Sequence, residues 1–213
     1  MTVYYEDSDV IVCEKPYGIS SQQSDGENMV DLLKTHTGCD IFCIHRLDMQ
    51  TTGVMVYAKN KESASILSNQ ILNGQFEKRY LCVCHGICEE NGIMKDLLFH
   101  DRTKNKTFVV DTKRRGAKEA SLSYERVSTA KIKEKDASLV RILLHTGRTH
   151  QIRVQFASRG HVLFGDGKYG ARDNSKIALH SFKIKFQHPK TQSSLSFESR
   201  PSSEIWDSFN QGI

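Results

Sequence analysis

Between Ile41 and Ala58 an apolar run, a charged segment and a second apolar run follow one another, an order that leaves the backbone little choice. Ile41-Phe42-Cys43-Ile44 reads as a short buried strand and Val54-Met55-Val56-Tyr57-Ala58 as another. The chain must turn between them, and Thr51-Thr52-Gly53 supplies polar and permissive residues for that. His45-Arg46-Leu47-Asp48 is thereby carried on a loop between two rigid elements, where catalytic side chains are commonly found. Read alone, Arg46 and Asp48 are as easily charged residues decorating a loop. A second stretch far along the chain bears on that choice.

At 213 residues the chain can hold one substantial core or two small ones. Its 38% hydrophobic and 26% charged residues are those of an ordinary globular protein. No apolar run reaches membrane-spanning length, and the start (Met1-Thr2-Val3-Tyr4-Tyr5-Glu6-Asp7) lacks the pattern of a secretory signal. A cytoplasmic location with no membrane partner is expected. Six cysteines, at 13, 39, 43, 82, 84 and 88, match no disulfide framework. Cys82, Cys84, His85 and Cys88 raise the question of zinc. Cys82 and Cys84 alternate within an apparent strand, however, and no paired CxxC is present, so free thiols and no metal are expected. The net charge of +5 is modest, but seven basic residues and one acid, Asp111, lie between Arg102 and Lys118. Such a block steers polyanions, although a solvated loop explains it equally well on charge alone.

Along the chain, residues 3–14 read as a hairpin turning at Asp7-Ser8-Asp9, and Lys15-Pro16-Tyr17-Gly18 as a turn. Met29, Leu32, Leu33 and His36 have helical spacing with Gly38 as the stop, and Lys61 to Asn73 is a second helix ended by Gly74. Phe76 to Cys84 is a strand with Tyr80, Cys82 and Cys84 on one face. Asn91-Gly92 signals a hairpin turn, and residues 93–127 read as short strands separated by basic turns. Lys131 to Asp136 reads as an exposed loop, and Ser138 to Leu144 as a strand. Thr149 is the expected N-cap of a helix running to about Ser158, with His150 and Arg153 on one face and Arg148 just before it. Such a helix start with flanking cations suits phosphate, whereas the Gly165, Gly167 and Gly170 cluster fits no nucleotide motif and reads as tight turns. Phe182, Ile184 and Phe186 alternate before a turn at His188-Pro189-Lys190, Ser194 to Phe197 pairs back, and Trp206 anchors a short terminal helix.

The second stretch is Leu144-His145-Thr146-Gly147-Arg148-Thr149-His150-Gln151-Ile152-Arg153-Val154. With Ile44–Gly53 it resembles the RluA-type pseudouridine synthases, which convert uridine in RNA into its C-linked isomer. The first stretch matches that family's His-Arg-Leu-Asp-x-x-Thr-Ser-Gly loop, with Thr52 where serine is usual, and the second its Gly-Arg-Thr-His-Gln-Ile-Arg run. Lys15-Pro16-Tyr17-Gly18 is similar to a Lys-Pro-x-Gly of the family. The resemblance continues through Gly160-His161, Gly165-Asp166, Tyr169-Gly170, Leu179-His180 and His188-Pro189, and covers Val10 to about Pro201. Several ordered matches are far more specific than one short motif.

The resemblance implies an α+β fold: a mixed, mainly antiparallel β-sheet with flanking helices and a central cleft. One catalytic domain over 1–213 is expected, without the small N-terminal RNA-binding domain that the family often adds, and nothing in the residues demands more than a monomer. Asp48 would be the catalytic carboxylate and Arg153 its counter-ion. Tyr80, on its own a strand tyrosine of the kind that usually packs in a core, would stack on the target uracil. Arg46 would fill the place that the flipped base leaves. His45, Arg148 and His150 would join the RNA contacts, and Ile177 and Leu179 the apolar side of the uracil pocket. Isomerisation breaks N1–C1′ and joins C5 to C1′ without gain of electrons or groups, so neither a redox cofactor nor a nucleotide cofactor is expected. The partner would be an rRNA or tRNA stem-loop, whose uridine must leave the stack before reacting. Two other readings remain. One is a non-catalytic RNA-binding protein on the same fold. The other is a carboxylate glycosidase, which would need a second acid that the Arg148–Arg153 run does not carry.

Overall fold

In the computed structural model residues 1–209 are described, and their contacts gather into two compact units. The first comprises Met1–Arg79 and His180–Pro201; the second comprises Tyr80–Leu179 and the segment from Ser202 on. In chain order the strands are β1 (Val3–Glu6), β2 (Val10–Lys15), β3 (Phe42–Cys43), β4 (Thr52–Ala58), β5 (Glu77–His85), β6 (Asn91–Asp101), β7 (Lys106–Val110), β8 (Ala117–Ile132), β9 (Lys135–Leu144), β10 (Leu179–Gln187) and β11 (Ser194–Glu198). The helices are α1 (Met29–Thr37), α2 (Lys61–Leu72), α3 (Gln151–Ala157) and α4 (Glu204–Asp207), the last carrying the buried Trp206. The class is α+β, and among the described residues no helix is long and apolar enough to cross a membrane.

In the first unit β4 lies antiparallel to β2 and parallel to β10, with β1 outside β2 and β11 outside β10. Val10, Val12, Val54 and Val56 meet Leu67 of α2, Phe76, Ile184 and Phe186 in one core. Both helices here start on an asparagine whose side chain accepts a backbone N–H, Asn28 from Asp31 and Asn60 from Ser63. Gly38, in the left-handed region at φ 70°, ends α1 as the sequence indicates. The expected strand at Ile41–Ile44 is shorter, only Phe42–Cys43, and half-buried.

Gly53 does not turn the chain, as the sequence reading has it, but lies inside β4 at φ +116°. A Cβ there would overlap the Ser181 carbonyl of β10, so glycine is what lets the parallel pair close. One residue earlier, Thr52 Oγ1 donates to His180 Nδ1 at 2.7 Å, while His180 Nε2 donates to the Ser199 carbonyl at 2.9 Å. Both ring nitrogens are committed in the neutral form. Burial lowers the His180 pKa to about 4, with Ser199 and Glu14 pulling the other way.

In the second unit the strand order is β5-β9-β8-β6-β7. Two expectations fail here. Asn91-Gly92 is not a hairpin turn but opens β6, paired with Glu125 and Tyr124 of β8, and the end of the Tyr124 ring lies over Gly92. The turn signal was outweighed by eleven residues of strand pairing, and the chain bends instead at Gly86, φ 79°. Likewise Lys131–Asp136 is no loop. The β8–β9 ladder runs to its tip and turns on Lys133 and Glu134, both left-handed, with a Lys131–Asp136 ion pair at 3.0 Å across it. Charged residues there are the solvent-facing side of a hairpin end.

Replacing Gly53 by Ala should lower the unfolding free energy by about 3 kcal/mol or more, combining left-handed strain with backbone overlap. Gly38→Ala, which meets no atom within 4 Å, should cost only about 1 kcal/mol. Urea titrations of the two variants check the contrast. The buried histidines make a second expectation. His45 titrates at about 3 and His180 at about 4, both lowered by burial. An unfolded imidazole titrates near 6.5, so between these values the unfolded chain binds protons that the folded chain refuses. Their stabilisation is complete above about pH 6.5 and is lost as pH falls through that window, by roughly 1.4 kcal/mol per unit for each. His180→Gln should reduce the slope of stability against pH between 6 and 4.5 by about one proton's worth; an unchanged slope contradicts the assignment.

Candidate active site

The first unit supplies the loop of Asp48. Burial alternates along residues 45–48. His45 and Leu47 are buried, Arg46 is exposed and Asp48 is half-buried. His45 packs on Phe76, ring centroids 5.4 Å apart, and its Nε2 accepts the Val56 N–H at 3.3 Å. The structure thus puts His45 beneath the loop, not on the exposed side where an RNA contact would be made. Leu47 is pinned through its own backbone: Ser21 Oγ donates to its carbonyl and accepts its N–H, at 3.0 and 3.2 Å. Tyr57 donates to the Ser21 carbonyl at 2.9 Å, which fixes Ser21 in turn. Arg46 reaches outward to Gln22 Oε1 at 3.3 Å.

The turn itself is closed by Thr51 N–H donating to the Asp48 carbonyl at 2.9 Å, around exposed Met49 and Gln50. Under it lies Lys15, with no exposed surface, whose Nζ donates to the carbonyls of Pro16 and Met49 at 2.8 and 3.1 Å. Burial lowers its pKa to about 8, while the negative charge of Asp48 acts to raise it. A cation therefore sits under the acidic loop and ties it to the end of β2. In the sequence alone Lys15 reads only as the start of the Lys15–Gly18 turn. Its signal is a lysine closing a strand whose first four residues are apolar, just before Pro16.

The second unit supplies Tyr80, Arg153 and their supports. The expected N-cap at Thr149 is displaced by one residue: α3 starts after His150, which is left-handed at φ 53° and makes no side-chain cap. The reason is Gln151. Its Oε1 accepts from Arg148 N–H and Thr146 Oγ1, and its Nε2 donates to the Ser121 carbonyl of β8, so the loop is tied down before the helix begins. His150 is buried, with Nδ1 3.1 Å from the Tyr169 hydroxyl, and does not share a helix face with Arg153. Arg148 is exposed and donates through Nε to the Glu119 carbonyl at 2.9 Å.

Arg153 is 3% exposed and Asp166 not at all. Nε and Nη2 of the arginine donate to Oδ2 and Oδ1 of the aspartate at 2.7 and 2.8 Å, a fork-to-fork pair. The Tyr169 ring lies 5.3 Å from Arg153 Cζ, and its hydroxyl accepts the Thr107 N–H and donates to the Thr107 carbonyl. Asp166 and Tyr169 are the parts of this half that residue-by-residue reading missed. Asp166 looked like one polar residue in a glycine-rich turn. Gly165, φ +75°, is required there because a Cβ would overlap the Lys176 carbonyl. Next to Lys176, the segment with buried Ile177 and Leu179 runs against β5, Val83 N–H donating to the Ala178 carbonyl at 3.0 Å. Tyr80, three residues earlier on β5, is 5% exposed.

Cys82, Cys84 and Cys88 are buried free thiols. Among the described residues one group, Asp7, Asp9 and His188, brings three ligand-type atoms within 4.8 Å. His188 Nε2 donates to Asp7 there, and its Nδ1 accepts from Lys190 and Thr191 N–H, so the group is built as a hydrogen-bonded brace on the first hairpin.

The family model for RNA pseudouridylate synthase matches residues 9–158. An uncharacterised RNA pseudouridine synthase of Bacillus subtilis (strain 168), YlyB, is 32% identical over 213 residues, covering 93% of this chain and 68% of the relative. The ribosomal large subunit pseudouridine synthase C of Buchnera aphidicola subsp. Acyrthosiphon pisum (strain APS) is 32% identical over 205 residues, covering 88% of this chain and 63% of the relative. The chain thus spans about two thirds of the length of such relatives. Among solved structures, human RNA pseudouridylate synthase domain containing 4 shares the fold with a TM-score of 0.77 at 20% identity, over 98% of this chain and 92% of that one. By the family match and the identity over nearly its whole length, this chain is a member of the RNA pseudouridylate synthase family.

Proposed function

We propose that the chain isomerises a uridine of structured RNA to pseudouridine, with Asp48 as the catalytic carboxylate and Arg153 as its counter-ion. The observation that carries this reading is the way Asp48 is presented. It is half-buried on a turn whose neighbours are fixed from beneath by Ser21, His45 and Lys15, so the carboxylate is placed without being sealed in. Preorganised charge of this kind is what covalent and proton-transfer steps at a sugar or base require. Arg153 fits its role because Asp166 spends two of its donor nitrogens and fixes the plane of the guanidinium.

Breaking N1–C1′ frees the base, which turns and rejoins through C5, releasing the C5 hydrogen. The detached uracil needs an apolar grip, for which we assign Tyr80 with Ile177 and Leu179. Arg46, exposed beside the acid, takes the gap that the flipped base leaves, and Arg148 takes backbone phosphate. His45 and His150 act as supports. We take residues 1–213 to act as one catalytic domain and as a monomer in the cytoplasm, on a stem-loop. Ribosomal RNA is the first candidate, since the Buchnera relative is named for the large ribosomal subunit, and transfer RNA the second.

Tritium at uracil C5 reads the reaction directly, because forming C5–C1′ expels it. Wild type should release tritium from labelled RNA of a strain lacking the gene, and Asp48→Asn should release none above background while still binding. Equal, negligible release from both would leave a non-catalytic RNA binder.

A further inference from the structure

The basic block of residues 102–118 occupies the outer edge of the second unit's sheet. β7 is last in the strand order, and basic residues stand at both of its ends: Arg102 and Lys104 in the β6–β7 turn, and Lys113, Arg114 and Arg115 in the β7–β8 connection, all exposed. The two ends are one five-residue strand apart, roughly 17 Å, or about five steps of a nucleic-acid helix at 3.4 Å each. On one face of this edge Leu98 packs under Val154 of α3. By alternation Phe99 and its cross-strand partner Phe108 face the other way, and both are only half-buried.

Two cations of the block, Arg114 and Lys106, differ from those of a solvated loop. The Arg114 guanidinium lies 3.8 Å above the centroid of Phe99, and Gly116, φ +89°, brings the connection close enough for that contact. Lys106 Nζ is 5.2 Å from the Tyr169 centroid and 5.8 Å from that of Phe108. Cations seated on aromatic faces are held in place, so less freedom is lost when they bind an anion. The edge is also tied to the Arg148–Arg153 loop: Thr107 Oγ1 donates to the Thr149 carbonyl at 2.8 Å, and Tyr169 grips the Thr107 backbone from below. The acids are few. Asp111 lies within the block, and Glu119 is 3.7 Å from Lys113 with both side chains largely exposed.

We infer that this edge is a docking surface for the phosphate backbone of the RNA segment flanking the target uridine, separate from the residues that handle the base. It rests on the isomerase reading for its partner. The surface sets how firmly the substrate is held and takes no part in bond making, so it governs KM and salt dependence and leaves kcat alone.

The test uses the full chain and an unmodified large-subunit ribosomal RNA transcript labelled with tritium at uracil C5. Binding is measured from 50 to 300 mM KCl for wild type, the quadruple variant R102Q/K104Q/R114Q/R115Q, and Asp48→Asn. Each lost phosphate contact should reduce the slope of log affinity against log salt by about 0.7 to 0.9, so the quadruple variant should lose about 3. Arg114→Lys, which keeps the charge and loses the stacked plane, should keep most of the slope. A quadruple variant with the wild-type slope overturns the inference, as does polyglutamate displacing the RNA as well as competitor RNA does, which would mark a site for acidic protein. The isomerase reading is scored separately. Wild type releasing no tritium while the quadruple variant loses its slope sinks that reading and keeps the surface; Asp48→Asn should bind with the full slope and release nothing.

Discussion

A guanidinium taken out of water must be matched by an anion of suitable shape, or the fold would not tolerate it. Arg153 meets that demand through Asp166, which holds it along two parallel hydrogen bonds with neither side chain open to solvent. Much of the second unit's loop structure follows from placing these two groups together. α3 carries the arginine, and the Gly165 turn folds tightly enough against Lys176 to present the aspartate. The Tyr169 ring then lies 5.3 Å from the arginine's Cζ, and its hydroxyl fastens Thr107. Loss of Asp166 alone would leave a buried cation without its fork, which is why the pair is a constraint on the fold before it is part of any chemistry.

The first unit solves the converse problem, holding an acid near the surface without letting it wander. Its means are neutral or cationic groups placed below the turn: a histidine kept unprotonated by burial, a serine bonded to both backbone groups of Leu47, and the ammonium of Lys15. Lys15 is the costly member, since burial pulls its pKa down to about 8. Its two carbonyl acceptors and the nearby Asp48 charge offset that cost in part.

Much of this was legible in the residues. The strand after Asp48, the glycine stops of α1 and α2, and the last hairpin follow from apolar periodicity and end signals, which act locally. The motif stretches identified the family because several ordered matches agree. What the sequence did not disclose depends on partners distant along the chain. Asn91-Gly92 has the local preference of a turn, yet pairing with β8 absorbs it into a strand. Lys131–Asp136 has the composition of a loop because only its solvent-facing character shows in composition. Thr149 is a good N-cap by type, and Gln151 overrides it by bonding to Thr146 and Ser121. Asp166 and Lys15 were invisible as site residues for the same reason: their importance lies in what they touch, 13 and 34 positions away.

The claim most open to test is our proposal that Asp48 and Arg153 act as one charged unit. A double-mutant cycle on unfolding free energy, with Asp48→Asn, Arg153→Gln and the two combined, tests it without RNA. Coupled charges should leave the double variant at least about 1 kcal/mol more stable than the sum of the two single losses implies. Losses that add to within about 0.5 kcal/mol would mean that the two side chains do not act on one another, and would contradict the account.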